Sequence, residues 1–239
     1  MRRVAIITDI HANLPALEAA LTRIGELGIE EIYCGGDLVG YGPHPNEVCA
    51  LIAEREIPTI YGNYDYAIAR DLHDCGCAYI TPHDREIGQQ SVEWTLEHTD
   101  QPSKDWMREL PFDLQLRVGK TSVHLVHGSP RKVNEYLFED KPASLYERLA
   151  AAEDDDVLVF GHTHKPWTRE YGGVLFVNRG SVGKPKDGDP RGAFAILSPT
   201  ASGVDVRIER VGYDAESVAA QVRESGLPSE FADKLLVAA

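Results

Sequence analysis

Hydrophobic residues in this chain come in short runs that each end in a polar side chain. The first run, Val4-Ala5-Ile6-Ile7, is apolar throughout, as expected of a strand buried on both faces, and it leads to Asp9 and His11. The period then becomes helical over residues 13–25. Leu17, Leu21 and Ile24 share a face, Asn13 stands where an N-cap belongs and Pro15 falls in the first turn. Residues 31–34 and 58–61 read as the next two strands, ending in Gly35-Gly36-Asp37 and Gly62-Asn63-Tyr64-Asp65, with a helix over 46–55 between them. Residues 71–82 are irregular, and 84–97 and 103–109 read as helices.

Leu114, Leu116 and Val118 alternate with polar residues, and residues 121–126 return beyond a Gly119-Lys120 turn, so the two segments read as a hairpin. It ends in His127-Gly128-Ser129-Pro130. After a helix over 143–152 and an acidic turn at 154–156, the apolar strand over 157–160 runs straight into Gly161-His162-Thr163-His164. A strand over 174–177, a glycine-rich loop over 178–185, a hairpin of 193–197 with 204–208 and helices over 215–224 and 229–237 complete the chain. Strands handing over to loops and helices predict an α/β fold, whose sites sit at the carboxyl ends of the strands. Neither repeats nor a low-complexity linker divide the chain, so residues 1–239 read as one domain, with a possible cap inserted around 66–112.

Composition narrows the function. A chain of 239 residues with 43% hydrophobic and 26% charged residues has ordinary globular proportions. A formal net charge of -14 repels nucleic-acid backbone, so a nucleic acid is an unlikely partner except as a small nucleotide substrate. The acidity favours a small phosphate ester held by local cations. No run is long and apolar enough to span a bilayer. The stretch behind Arg2 and Arg3 meets Asp9 too soon for a signal peptide. With only four cysteines, a cytoplasmic, reducing location is expected. Cys75-x-Cys77 lacks the second pair that a zinc site needs, so these read as free thiols in a loop. Oligomeric state is open.

The chemistry lies in seven strand-end side chains: Asp9, His11, Asp37, Asn63, His127, His162 and His164. Mixed imidazole, carboxylate and amide donors suit divalent transition metals such as manganese, iron, zinc, cobalt or nickel. Seven are too many for one tetrahedral ion and suit two ions sharing a carboxylate bridge. Any one alone has a plainer reading, Asp9 as a helix cap for instance. His83 and His98 read as surface residues and His124 as a packed or half-exposed one. Lys184, Lys186 and Arg191 fit solvated loop charges as well as substrate contacts, and Tyr41 and His44 fit a pocket wall or mere sheet cover.

The blocks Asp9-x-His11, Gly36-Asp37, Gly62-Asn63, His127-Gly128 and Gly161-His162-Thr163-His164 resemble, in order, those of the calcineurin-like metallophosphoesterases. The Gly180-Ser181-Val182-Gly183 loop is similar to that of the small bacterial and archaeal phosphodiesterase-type members. The resemblance implies a four-layer α/β/β/α sandwich of two mixed β-sheets. It implies one metal held by Asp9, His11, Asp37 and His164 and a second held by Asp37, Asn63, His127 and His162, with Asp37 bridging. A metal-bridging hydroxide would attack phosphorus in line.

The candidate catalytic residues are Asp37, Asn63, Tyr64 and Asp65. Tyr64 stands where many members of that family carry a histidine that protonates the leaving oxygen. Phosphodiester hydrolysis is therefore the expected activity, with His44 and His73 as alternative acids by position. Phosphomonoester hydrolysis of the Ser/Thr protein phosphatase kind is the second reading. A non-catalytic binding scaffold on the same fold is the third.

Overall fold

The computed structural model describes residues 2–239. Strand β1 (Val4–Ile7) is wholly buried inside the first sheet and passes to α1 (Leu14–Glu26), capped by the Asn13 side chain. β2 (Glu31–Cys34) pairs in parallel with β1 and is followed by α2 (Pro45–Glu54). Three helices come next: α3 (Asn63–Ala69), α4 (Pro82–His98) and α5 (Gln101–Arg108). The hairpin β3 (Asp113–Val118) and β4 (Thr121–Val126) is present in antiparallel register, then come α6 (Ala143–Ala150) and β5 (Val157–Phe160). β6 (Trp167–Tyr171) turns back into β7 (Val174–Asn178), and β8 (Gly192–Pro199) into β9 (Val204–Val211). α7 (Ala215–Glu224) and α8 (Glu230–Val237) close the chain.

The strands form two mixed sheets, ordered β2-β1-β8-β9 and β3-β4-β5-β7-β6. One hydrophobic core lies between them: Val4 and Ile6 of β1 and Ala195 and Leu197 of β8 meet Val123 and Leu125 of β4 and Val157 and Val159 of β5. The alternate residues Ala5 and Ile7 point the other way, onto α1 and α2. On the second sheet Leu158, Phe160 and Phe176 are covered by Tyr146 and Leu149 of α6. This period-two division of each buried strand produces the layer order helix, sheet, sheet, helix. Among the described residues no helix is long and apolar enough to cross a membrane.

Three local expectations change. Residues 58–61 make no strand: only Thr59 bridges Cys34, because Pro58 has no N–H to give and the Tyr61 N–H goes to Pro111 O. β6 was not expected, since Arg169 and Glu170 leave no apolar run on this edge strand. α3 begins at Asn63 itself, immediately after Gly62.

Candidate metal centre

The expected ligands sit just beyond β1, β2, β4 and β5, with Asn63 opening α3. Their backbones are unusual. Asp9 (φ 50°), His11 (50°), Asp37 (54°), His162 (63°) and His164 (59°) all occupy the left-handed region, which L-residues with a Cβ avoid. So many in one place mark a strained site that the surrounding fold holds in shape. Neighbouring glycines permit the close approach: a Cβ on Gly62 would lie 2.1 Å from Asp37 Oδ1, and one on Gly161 2.5 Å from Asp9 Oδ2.

The side chains converge in two buried groups, Asp9 with His11 and His164, and Asp37 with His127 and His162; the donor atoms of each lie within 4.8 Å of one another. Each carboxylate has one oxygen engaged by protein and one left over. Asp9 Oδ2 accepts from the Thr8 hydroxyl (2.9 Å) and the His162 N–H (3.2 Å), while Oδ1 lies 3.2 Å from His164 Nε2. Asp37 Oδ1 accepts the Tyr64 N–H (2.9 Å), while Oδ2 lies 3.7 Å from His11 Nε2 and 3.4 Å from His127 Nε2. Asp37 therefore faces both groups with a single oxygen, not with one oxygen for each, because the N–H of Tyr64, the second residue of α3, holds the other.

Asp9 Oδ1, Asn63 Oδ1, His127 Nε2 and His162 Nε2 are buried without a hydrogen-bond partner. Such orphans are rare in proteins and costly. These four are of the types that donate lone pairs to a cation, and Asp9 and the two histidines belong to the buried groups above. The Asn63 amide nitrogen is fixed by Cys75 O (3.0 Å) and Cys77 Sγ (3.3 Å), which turns its oxygen inward. The ring Nδ1 atoms of His11, His127 and His164 face Val39 O (3.0 Å), Gly35 O (2.8 Å) and Lys184 O (2.5 Å), which leaves Nε2 of each toward the centre. The residues thus fit divalent cations on donor chemistry and on the orphaned atoms alike.

Electrostatics agree. Burial pushes His11 and His162 down to about 3, so both stay neutral and able to bind a cation. Burial, and then the Lys186 ammonium, lower His164. Burial also opposes charge on His127, but the Asp37 carboxylate outweighs it and lifts this imidazole to about 9. Burial works against ionising Asp9, and the His164 and His127 imidazoles overcome it, holding Asp9 below the usual carboxylate range.

The remaining candidates lie around the centre. The Tyr64 hydroxyl points to Ser91 Oγ (3.5 Å), and burial with Tyr41 beside it pushes it well above its ordinary value. The Asp65 carboxylate accepts the N–H groups of Asp37 (2.7 Å), Leu38 (2.8 Å) and Gly62 (2.9 Å), so it shapes the Asp37 turn and does not face the ligands. His44 is engaged by Gln221 (2.6 Å) and His73 is exposed. The thiols of Cys75 and Cys77 are free and lie beside Asn63. His124 is held between Glu153 (3.0 Å) and Asp113 (2.9 Å), outside both groups.

Two residues were not singled out from sequence. Arg179 is fully buried and donates to Thr8 Oγ1 (3.0 Å) and Gly35 O (3.2 Å), joining the ends of β1 and β2. Tyr136 packs its ring 4.0 Å from that of His162. Arg179 sits in a quoted loop as one basic residue among several. Tyr136 lies in a stretch without periodicity, which carries no sequence signal.

The model of the calcineurin-like phosphoesterase superfamily domain matches residues 2–202. The chain belongs to this superfamily. Among solved structures, the chain is similar to a metallophosphoesterase from Sphaerobacter thermophilus, with 30% identity, TM-score 0.79 and coverage of 100% of this chain and 99% of that one. It is also similar to a hypothetical protein from Pyrococcus horikoshii, with 27% identity, TM-score 0.85 and 98% of each chain covered. Among curated proteins it is 25% identical to the phosphodiesterase YfcE of Escherichia coli K12, over 93% of this chain and 98% of the relative. Two mixed sheets between helices, with His and Asp clusters at their strand ends, are thus a calcineurin-like fold in a phosphoesterase family.

Proposed function

We propose that this protein hydrolyses phosphodiesters of small molecules, using two divalent cations held by Asp9, His11, Asp37, Asn63, His127, His162 and His164. The observation that supports the reading is the pair of buried groups, Asp9 with His11 and His164 and Asp37 with His127 and His162, in which Asp9 Oδ1, His127 Nε2 and His162 Nε2 have no hydrogen-bond partner; Asn63 Oδ1 is a further buried atom without one. Asp37 Oδ2, facing an imidazole of each group, would be available to a cation held by either. Divalent cations held there would supply an acidified water and offset charge building on the phosphoryl oxygens.

The protein's own part is positional. Thr8 and the His162 N–H fix Asp9, the Tyr64 N–H fixes Asp37, and the carbonyls of Val39, Gly35 and Lys184 set three imidazole tautomers. Preference for diesters with good leaving groups is supported by the orientation of Tyr64, whose hydroxyl faces Ser91 and is too basic to give up a proton readily. The name of the E. coli relative, a phosphodiesterase, points the same way.

The test is side-by-side hydrolysis of bis-p-nitrophenyl phosphate and p-nitrophenyl phosphate by metal-stripped protein reconstituted with manganese. Faster diester turnover supports the reading. Monoester turnover alone would favour a phosphomonoesterase. Bound metal with no turnover of either would favour a scaffold.

A further inference from the structure

A cleft of about 220 Å³ adjoins the metal centre and is built from residues that hold the ligands. Four of its lining residues each touch a different ligand. Tyr41 packs 5.0 Å from the His11 ring, Cys77 Sγ meets the Asn63 amide at 3.3 Å, Tyr136 lies 4.0 Å from His162, and the Lys184 carbonyl holds His164 at 2.5 Å. The cleft is smaller than the roughly 300–1,000 Å³ of pockets that take a whole ligand, so it suits one end of a molecule whose other end is at the metals.

Its charge runs against that of the chain. In a protein of net charge -14, Lys184, Lys186 and Lys234 meet at this one cleft. Lys234 is paired with Asp84 (3.2 Å). Lys184 is only 7% exposed, lies 4.7 Å above the Tyr41 ring and 5.8 Å from that of Phe231, and forms no ion pair among the described residues; nor does Lys186. Drawing unpaired ammonium groups out of water costs free energy unless an anion joins them. The side chains of Tyr79, Tyr136 and Phe231 line the same space and suit an apolar body between two charged ends.

We propose that the cleft receives a second anionic group of the substrate, so that the natural substrate is a small phosphate ester with one phosphoryl group at the metal centre and a further phosphate or carboxylate between Lys184 and Lys186. This rests on the phosphoesterase reading above and names the substrate class for it. Lys184 is then a specificity determinant in two ways, through its ammonium toward the substrate and through its carbonyl toward His164.

Calorimetric titration of the manganese-loaded protein tests this without requiring turnover. Three probes are compared: propylphosphonate, propane-1,3-bisphosphonate and 4-phosphonobutanoate. The bisphosphonate or the phosphonocarboxylate is expected to bind at least about tenfold more tightly than propylphosphonate, and whichever gains more identifies the second group as phosphate or carboxylate. In the K184M/K186M protein that gain should fall to less than about twofold. Should the double variant not fold, K186M alone must reduce the gain at least about threefold, since Lys186 is half-buried in a loop. Equal binding of all three probes by the wild type, or a gain that survives the substitutions, overturns the proposal. Lysine-dependent binding without hydrolysis of any ester would count against the phosphodiesterase reading alone. Hydrolysis without the gain would count against the cleft alone.

Discussion

Nε2 of His11 lies 3.2 Å from Nε2 of His164, with the rings stacked at 4.9 Å between centroids. The other nitrogen of each ring faces a backbone carbonyl, so each Nδ1 carries the proton and the two Nε2 lone pairs face one another. With Asp9 Oδ1 3.9 Å from the His11 atom and 3.2 Å from the His164 atom, three potential lone-pair donors meet here. A cation held among them would satisfy all three.

Metal binding should release a proton. Asp37 lifts the His127 imidazole to about 9, so in ion-free protein it is charged below that pH and must be neutral to bind a cation. Affinity for manganese should therefore rise about tenfold per pH unit between about pH 7 and pH 8.5, and level off near 9. The sign for folding is opposite. A raised imidazole pKa gives the ion-free protein stability that is complete below 6.5 and is lost as pH climbs through 9. Titration in two buffers of different ionisation enthalpy measures the proton. An affinity flat with pH would show that His127 does not have to give up a proton to bind metal.

Gly62→Ala should weaken metal binding and destabilise the fold as well, since the new Cβ would lie 2.4 Å from the Asp37 backbone nitrogen. It would also lie 2.1 Å from Asp37 Oδ1, so the carboxylate must move and Oδ2 with it. Displacing the support of a ligand typically costs about 10- to 100-fold in affinity. Metal titration of the variant reads this directly, and wild-type affinity would mean that the placement of Asp37 does not matter.

Tyr64→Phe should retain at least about half of the wild-type kcat for both good and poor leaving groups, because the hydroxyl is turned to Ser91, at 3.5 Å. Tyr64→Ala should lose about 3–5 kcal/mol of stability, since the ring is fully buried against His11 and Tyr41. A leaving-group series settles the point: were the phenol the proton donor, Tyr64→Phe would slow the poorest leaving groups most.

Arg179→Met should cost about 2–4 kcal/mol in a denaturant titration, because it removes a buried, charged donor from Thr8 Oγ1 and Gly35 O. Gly35 O also fixes His127 Nδ1, so the same substitution should weaken metal binding. A midpoint unchanged within about 0.5 kcal/mol would show Arg179 to be incidental.

The strand ends that bring these candidate residues together were legible in the sequence where an apolar run precedes them. Val4–Ile7 before Asp9 and Val157–Phe160 before His162 are the clearest cases. The donor types were readable too, since carboxylate, imidazole and amide side chains announce their chemistry. What lay hidden depends on three-dimensional neighbours. No local pattern shows that Asp65 turns toward three backbone N–H groups, that Tyr64 points at Ser91, or that Arg179 is buried between the ends of two strands. Residues 58–61 looked like a strand, but Pro58 and the diversion of the Tyr61 N–H leave only one bridge.

The most direct measurement is a manganese titration of metal-stripped protein, with bis-p-nitrophenyl phosphate turnover and the electron paramagnetic resonance spectrum recorded at each addition, for the wild type and Asp37→Asn. Turnover should rise until two equivalents are bound, with the spectrum of a spin-coupled pair, and Asp37→Asn should lose the coupling and about two to three orders of magnitude in kcat. Full turnover at one equivalent, or a coupled and active pair in Asp37→Asn, would contradict a centre of two ions joined through Asp37.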